Sequence, residues 1–177
     1  MDAHVETYTT PTPATTLRLA GATPIAIGQL RAVYQHPLHR DELVKVIRPG
    51  MAEARLKRRS SWLKRLPRAK HYVGYLREIK EYVAARARTP DRDPPIARMI
   101  GVIDTDLGLG LVTEKVVDAD GALAPTLAAM YERSRGFTPA IDTALATFLE
   151  GLLACNVIVG DMHAWNIVYG SDSRGPD

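Results

Sequence analysis

Cysteines, long apolar runs and a strong charge of either sign are scarce or missing in this 177-residue chain. Its single cysteine, Cys155, excludes an internal disulfide framework and favours a reducing compartment, so we predict a cytoplasmic protein. No stretch approaches the ~20 apolar residues that a membrane-spanning helix needs. The amino terminus has neither the positive start nor the apolar block of a secretory signal. The net charge of +3 points to no particular class of partner.

The first part of the chain predicts a small antiparallel sheet that follows a disordered tail. Residues 1–16 are rich in Thr, Pro and Ala and hold few large apolar groups, which is typical of disorder. Three segments with strand character come next, at 24–28, 30–34 and 42–47. Because a turn-forming stretch at 36–41 separates the last two, we expect them to pair antiparallel.

A helix is predicted at residues 68–88. Its apolar residues recur at helical spacing and define one face: Tyr72, Tyr75, Leu76, Ile79, Tyr82 and Val83. Glu78 lies on the flank of this face, so its carboxylate can point partly inward. Taken alone, Glu78 is more typical of an ordinary surface position on a helix.

Two more strands and then helices are predicted in the second half. The strands are expected at 99–105 and 109–117 around a short turn, and the helices at 124–133 and 138–156. Thr138 as N-cap and Pro139 at the first helical position mark the start of the second helix. Its predicted buried stripe consists of Ile141, Leu145, Phe148, Leu149, Leu152 and Leu153. Apolar runs at 157–159 and 166–169 have strand character.

This order of elements predicts an α+β fold. An antiparallel amino-terminal sheet with one packed helix precedes a mostly helical section. The two parts form two lobes, and a cleft between lobes is a usual place for a ligand.

A polar cluster lies between the last predicted helix and the last apolar run. The segment GDMHAWNIVYG, residues 160–170, holds Asp161, His163 and Asn166. A fixed carboxylate can orient a hydroxyl group and accept its proton, and an amide oxygen is a hard ligand suited to Mg²⁺. Taken alone, His163 is interpreted as a structural or exposed histidine. Cys155 is interpreted as a small buried hydrophobic residue.

The segment GDMHAWNIVY resembles the catalytic loop of kinase-like phosphotransferases of the aminoglycoside-phosphotransferase type, in which the same spacing separates the Asp from the Asn. Val159 stands where that loop usually has a first histidine. Four further segments, RAVYQHP, YLREIKEY, DTDLGLG and DADG, occur in an order that resembles the PhoP regulatory network protein YrbL family, a kinase-like group. The resemblance covers roughly residues 25–170.

This resemblance implies ATP and Mg²⁺ as cofactors, and a nucleotide and an unidentified acceptor as partners. Lys45 would contact the phosphates, Glu78 would be its ion-pair partner, and Asp161 would orient the acceptor hydroxyl. The remaining implied contacts are Asn166 to Mg²⁺, Gly28 to phosphate, and backbone groups near Glu114 and Val116 to adenine. The lobes would comprise residues 17–117 and 118–177, the second one partial and ending after the catalytic loop.

Two parts of the kinase pattern are weak. The expected phosphate-covering loop offers only Gly28, and neither Asp172 nor Asp177 lies in an apolar strand suited to a second metal-binding carboxylate. Two interpretations fit this incomplete pattern: a chain cut from a longer reading frame, and a naturally reduced protein. The predicted strand at 166–169 would be only half of a hairpin, which favours the first interpretation. Whether the chain is an active enzyme stays open, and a non-catalytic regulatory scaffold is the alternative.

A basic segment at residues 55–70 is rich in Lys and Arg and holds one aromatic residue, Trp62. A solvated insertion is the simpler interpretation, since a nucleic-acid surface usually offers more aromatic side chains for base stacking. Nucleic acid is therefore not favoured as a partner. Lys45, taken alone, could likewise be a strand-edge lysine that extends its ammonium to water.

Overall fold

The computed structural model describes residues 16–48, 51 and 72–176. Within them the architecture is α+β, with a five-stranded antiparallel sheet, three helices and a two-stranded hairpin. The predicted class and the antiparallel sheet are confirmed. Residues 1–15 of the predicted tail, the basic segment 55–70 and Asp177 lie outside the described residues.

The sheet has the strand order β1-β2-β3-β5-β4, and every neighbouring pair is antiparallel. Its strands are β1 (Ala26–Ile27), β2 (Arg31–Gln35), β3 (Glu42–Ile47), β4 (Met99–Thr105) and β5 (Gly108–Glu114). The central strand β3 is a β-branched run, ELVKVI, of the kind that packs well on both neighbours. It places Lys45 opposite Val33 on one side and Leu111 on the other.

Side-chain alternation along β3 separates the core from the site. Val44 and Val46 are fully buried and belong to a core that also contains Leu17, Leu19, Ala32, Tyr34 and Val112. Since successive side chains of a strand point to opposite faces, Lys45 lies on the other face of the sheet. Helix α1 (Val73–Arg88) packs on the same face as Lys45. The Tyr75 hydroxyl of this helix donates a hydrogen bond to the Lys45 carbonyl oxygen at 2.7 Å.

Helix α1 is rotated relative to the predicted apolar face. Tyr75 and Ala85 are buried, but Leu76 and Val83 are exposed, so those two residues were wrongly predicted to face the core. The line that faces the sheet runs through Tyr75, Glu78 and Ala85, at the three- and seven-residue intervals of one helix stripe. On this line Glu78 forms an ion pair with Arg31 of β2.

The strand predicted at 109–117 ends earlier than expected. Strand β5 stops at Glu114, and the backbone N–H groups that follow donate elsewhere: Lys115 to the carbonyl oxygen of Asp41, and Val117 to that of Ser171. Residues 115–117 therefore form a linker that leaves the sheet.

Two helices and a hairpin follow the linker. Helix α2 (Leu127–Ser134) begins at an N-cap formed by Thr126, and helix α3 (Pro139–Ala154) begins at Thr138, whose hydroxyl accepts from the Ile141 N–H at 3.3 Å as the sequence predicts. Only Ile141 and Leu152 of the predicted α3 stripe are buried, and Leu153 is 81% exposed. A short hairpin joins β6 (Ser171–Asp172) to β7 (Gly175–Pro176).

The apolar runs 157–159 and 166–169 are not strands, which corrects the prediction. The backbone of the second run is used by the start of α2 instead. The N–H groups of Leu127 and Ala128 donate to the carbonyl oxygens of Ile167 and Ala164, and Val168 forms a single bridge with Thr126. The prediction missed this docking because periodicity does not show which backbone groups a helix start will occupy.

Candidate functional site

Lys45 is a half-buried cation in the middle of the sheet. Burial is the main cause that lowers the pKa of its ammonium group, while the nearby Glu78 carboxylate raises it and the Arg31 guanidinium lowers it further. Among the described residues, the ammonium has no hydrogen bond and no ion pair. Glu78 thus acts electrostatically on Lys45, but the described residues show no ion pair between the two, and the role that the resemblance gives to Glu78 remains a prediction.

Glu78 forms its ion pair with a residue that the sequence analysis missed. The Arg31 guanidinium donates to a Glu78 carboxylate oxygen, and it also lies 5.6 Å from the centre of the Tyr75 ring. Strand alternation could have identified Arg31, because it precedes Val33 by two residues and Val33 is the cross-strand neighbour of Lys45. Arg31, Tyr75, Glu78 and Lys45 form one polar cluster, which we call the β3–α1 cluster.

Gly28 lies in the tight turn between β1 and β2. Its N–H donates to the carbonyl oxygen of Arg31 at 2.8 Å, and its own carbonyl oxygen accepts from the Arg48 guanidinium at 3.3 Å. The amide that the resemblance assigns to phosphate binding is thus used within the turn. Its predicted role remains a prediction.

The segment that contains Asp161 brings three polar side chains together. Asn166 Nδ2 donates to the Asp161 carbonyl oxygen at 3.0 Å and to its carboxylate at 3.3 Å. His163 Nε2 lies 3.5 Å from the other carboxylate oxygen of Asp161 and 3.2 Å from Asn166 Nδ2. The Asp161 side chain is 80% exposed, so its carboxylate is open to a ligand from solution.

The amide oxygen of Asn166 suits a hard cation by its chemistry, because amide oxygens are ligands that Mg²⁺ accepts. The amide donates through Nδ2 to Asp161, which leaves its oxygen facing away from the Asp161 carboxylate. The two oxygens therefore do not converge on one cation in this arrangement, and Asn166 alone would offer a ligand to a Mg²⁺ ion that keeps several waters and takes other ligands from a phosphate.

The Asp161 segment also lies against helix α1. A Cβ atom added to Gly160 would be 3.7 Å from Arg77 Nη1, and Arg77 is the residue before Glu78. The helix that carries Glu78 therefore contacts the segment that carries Asp161. This contact connects the two groups of candidate residues.

The end of β5 and the linker that follows it form several hydrogen bonds within the chain. Glu114 is buried, and one of its carboxylate oxygens accepts from the Ser173 N–H at 2.8 Å. The other oxygen has no hydrogen-bond partner among the described residues. The N–H of Glu114 donates to the carbonyl oxygen of Arg98, and the carbonyl oxygen of Val116 accepts from Ala124 at 3.0 Å. Adenine recognition by these groups stays a prediction.

The hairpin β6–β7 holds Asp172 in an ion pair. Burial alone would raise the pKa of its carboxyl group, but the hydrogen bonds and charge of Arg174 lower it below the usual value. Arg174 also donates to the carbonyl oxygens of Pro94 and Ile96, so the pair fixes the hairpin on the loop before β4. This arrangement gives Asp172 a structural task.

The turn between β2 and β3 contains His36, His39 and Glu42, whose ligand-type atoms lie within 4.8 Å of one another. His36 Nδ1 accepts from the N–H groups of Leu38 and His39, at 3.2 and 3.0 Å. A neutral imidazole that accepts at Nδ1 carries its proton on Nε2, the atom that faces Glu42. In this tautomer Nε2 has no lone pair left for a metal. The two hydrogen bonds that His36 Nδ1 accepts stabilise the turn.

The fold and the candidate site define an α+β protein whose antiparallel sheet carries a half-buried lysine beside a helix glutamate. Residues 17–177 match the family described as PhoP regulatory network protein YrbL, and the chain belongs to this family. No curated protein and no solved structure gives a match. In the part of the chain that the structure describes, no helix combines the length and apolar character needed to cross a membrane.

Proposed function

We propose that this YrbL-family chain has a kinase-like fold and binds Mg-ATP. The observation that carries the proposal is the half-buried Lys45 ammonium, which lacks a hydrogen-bonding or ion-pairing partner among the described residues. A cation held in this way is costly, and an anionic ligand would stabilise it. A sheet with Lys45 and α1 on the same face is what a kinase-like amino-terminal lobe requires.

The roles of the individual side chains follow from their chemistry. Lys45 would bind the nucleotide phosphates, and Glu78 would hold the lysine in position. Asp161 would accept a hydrogen bond from an acceptor hydroxyl and receive its proton, because its carboxylate is exposed to a ligand from solution. Asn166 would offer its amide oxygen to Mg²⁺. When bound, Mg-ATP supplies the phosphoryl group and the metal charge that stabilises its transfer.

Turnover by this chain is expected to be slow. Asp172, the acidic residue nearest after Asn166, is held by Arg174, and the described residues offer no second metal-binding aspartate of the kinase type. Catalysis would therefore depend on positioning by Lys45 and Asp161 with only part of the usual charge neutralisation.

Phosphate release in the presence of Mg-ATP tests the catalytic part of the proposal. The wild-type chain and the matched control Asp142→Ala, which removes an exposed carboxylate on α3, should release phosphate at the same slow rate. Asp161→Ala should reduce that rate by at least about tenfold, a low value for removing a general base. Equal rates in all three proteins would reject the role of Asp161.

A non-catalytic scaffold is the second candidate function. Its support is that several backbone groups expected to contact nucleotide already have partners within the chain: the N–H and carbonyl of Gly28, the N–H of Glu114 and the carbonyl of Val116. Thermal unfolding with and without Mg-ATP separates the two candidates. A rise in Tm that Lys45→Ala abolishes supports nucleotide binding, and an unchanged Tm supports the scaffold.

A further inference from the structure

We infer that Arg31 is a positioning residue that competes with Lys45 for the carboxylate of Glu78. This inference deepens the proposed function and rests on it, because Glu78 matters there through its effect on Lys45. The structure has one anion between two cations, and the anion is bound to Arg31.

The sheet register places both cations on the face that α1 covers. Arg31 is paired with Ile47, and Val33 is paired with Lys45, so the two cations are diagonal neighbours on adjacent strands. Diagonal neighbours in an antiparallel pair are within reach of each other for long side chains. Lys45 and Arg31 therefore extend into the same space beneath the helix.

Arg31 is held on three sides. Its guanidinium donates to Glu78 and lies over the Tyr75 ring. A Cβ atom added to Gly74 would be 3.4 Å from Arg31 Nη2, so the first turn of α1 also lies against the guanidinium. Tyr75 is itself fixed by its hydrogen bond to the Lys45 carbonyl oxygen. Arg31 is thus pre-organised to keep Glu78, and Lys45 is left without an ion pair.

The charges on this face explain why the competition matters. Arg31 and Lys45 contribute two positive charges against one negative charge from Glu78. The other titratable groups that face them are Tyr72 and Tyr75, and burial raises the pKa of the Tyr75 hydroxyl. Arg31 lowers the pKa of Lys45 and Glu78 raises it. Transfer of Glu78 from Arg31 to Lys45 would stabilise the charged ammonium.

The test measures how fast the Lys45 amine is acylated, because only the neutral amine reacts. Acylation of the full chain at one pH is followed residue by residue by mass spectrometry, with the exposed Lys80 of α1 as internal reference. Arg31→Gln should slow the reaction of Lys45 by about threefold or more relative to Lys80. Arg31→Lys, which retains the positive charge, should restore most of the wild-type rate.

Two controls distinguish competition for Glu78 from a loosened fold. Arg88→Gln removes the same charge near the end of α1, ~15 Å along the helix from Glu78, and should leave Lys45 unchanged. In a Glu78→Gln background, Arg31→Gln should have a smaller effect on Lys45, because the carboxylate that would move is gone and only the direct repulsion between the two cations is removed. Loosening would act whether or not Glu78 is present.

An unchanged Lys45 rate in Arg31→Gln would overturn the inference, and so would an equal effect with and without Glu78. These measurements need no nucleotide. Titration of the same proteins with Mg-ATP then reports on the proposed function separately. If wild type does not bind, that function fails while the competition for Glu78 can still hold.

Discussion

Replacement of Gly170 by alanine should destabilise the protein by about 2–5 kcal/mol. A Cβ atom at this position would lie 2.3 Å from the carbonyl oxygen of Val117 and 2.8 Å from Cβ of Ala124. Ordinary contacts are about 1 Å longer, and the nearest atom belongs to backbone that cannot rotate away. Overpacking of this kind costs about 1–3 kcal/mol.

The displaced backbone also carries two hydrogen bonds. The Val117 N–H donates to Ser171 at 2.9 Å, and the Ser171 N–H donates back to Val117 at 2.8 Å. Loss of both hydrogen bonds costs about 1–2 kcal/mol in addition to the overpacking, and the two costs together give the expected range. This pair of bonds connects the linker after β5 to hairpin β6–β7, so the substitution also releases the end of the segment that holds Asp161.

Urea unfolding followed by circular dichroism measures the effect. Gly101→Ala is the matched control, because nothing lies within 4 Å of a Cβ atom there and the residue is also in the folded sheet. The control should remain within about 0.5 kcal/mol of wild type. If Gly170→Ala were equally harmless, the close approach of residue 170 to the linker would be refuted.

Two further predictions concern the sheet. Burial lowers the pKa of His36 below the value of 6.5 that a histidine has in a model peptide. As the pH falls, the unfolded chain therefore takes up a proton at this residue before the folded chain does. The free energy of unfolding should then decrease below pH 6.5. In His36→Asn, the Asn Oδ1 can accept the same backbone hydrogen bonds, so the variant should retain its stability at pH 7 and lose part of that pH dependence. If urea midpoints of variant and wild type had the same pH profile, His36 would not be the source of the pH dependence. Tyr75→Phe should lower the free energy of unfolding by about 1 kcal/mol because it removes the hydrogen bond to Lys45, whereas Tyr82→Phe on the same helix should change it by less than half as much. Equal urea midpoints for the two variants would show that the Tyr75 hydroxyl contributes nothing.

The elements with strong local signals were predicted from the sequence. The β-branched run 42–47, the hairpin of β4 and β5, and the start of α3 at Thr138 all depend on neighbours close in the chain. Propensity, turn chemistry and capping decide such features before tertiary contacts form. Cys155 is fully buried, as expected of a small hydrophobic residue.

The features that depend on distant contacts were missed. The pattern of α1 ranks Leu76 as a core residue, yet Leu76 is exposed, and Glu78 of the same helix pairs with Arg31 of β2. The run 166–169 has the composition of a strand, but its backbone is used by the first turn of α2. Both features involve groups that are distant in the sequence, and periodicity contains no information about such contacts.

The candidate residues Lys45, Glu78, Asp161 and Asn166 were named from the family resemblance, and their roles remain predictions. In the structure Glu78 acts electrostatically on Lys45, and Asn166 donates a hydrogen bond to Asp161. The missing member was Arg31, whose importance depends on strand register. The remaining roles, from phosphate binding at Gly28 to the adenine contacts of the linker, depend on a ligand and remain proposals.

Equilibrium titration of the full chain with Mg-ATP tests the central claim most directly. The account predicts saturable binding by wild type and by Lys80→Ala, which removes an exposed lysine of α1, and binding at least about tenfold weaker in Lys45→Ala, a loss of ~1.4 kcal/mol. If the three proteins bind equally, or if wild type shows no binding, Lys45 is not a nucleotide contact and the kinase-like interpretation of the site is contradicted.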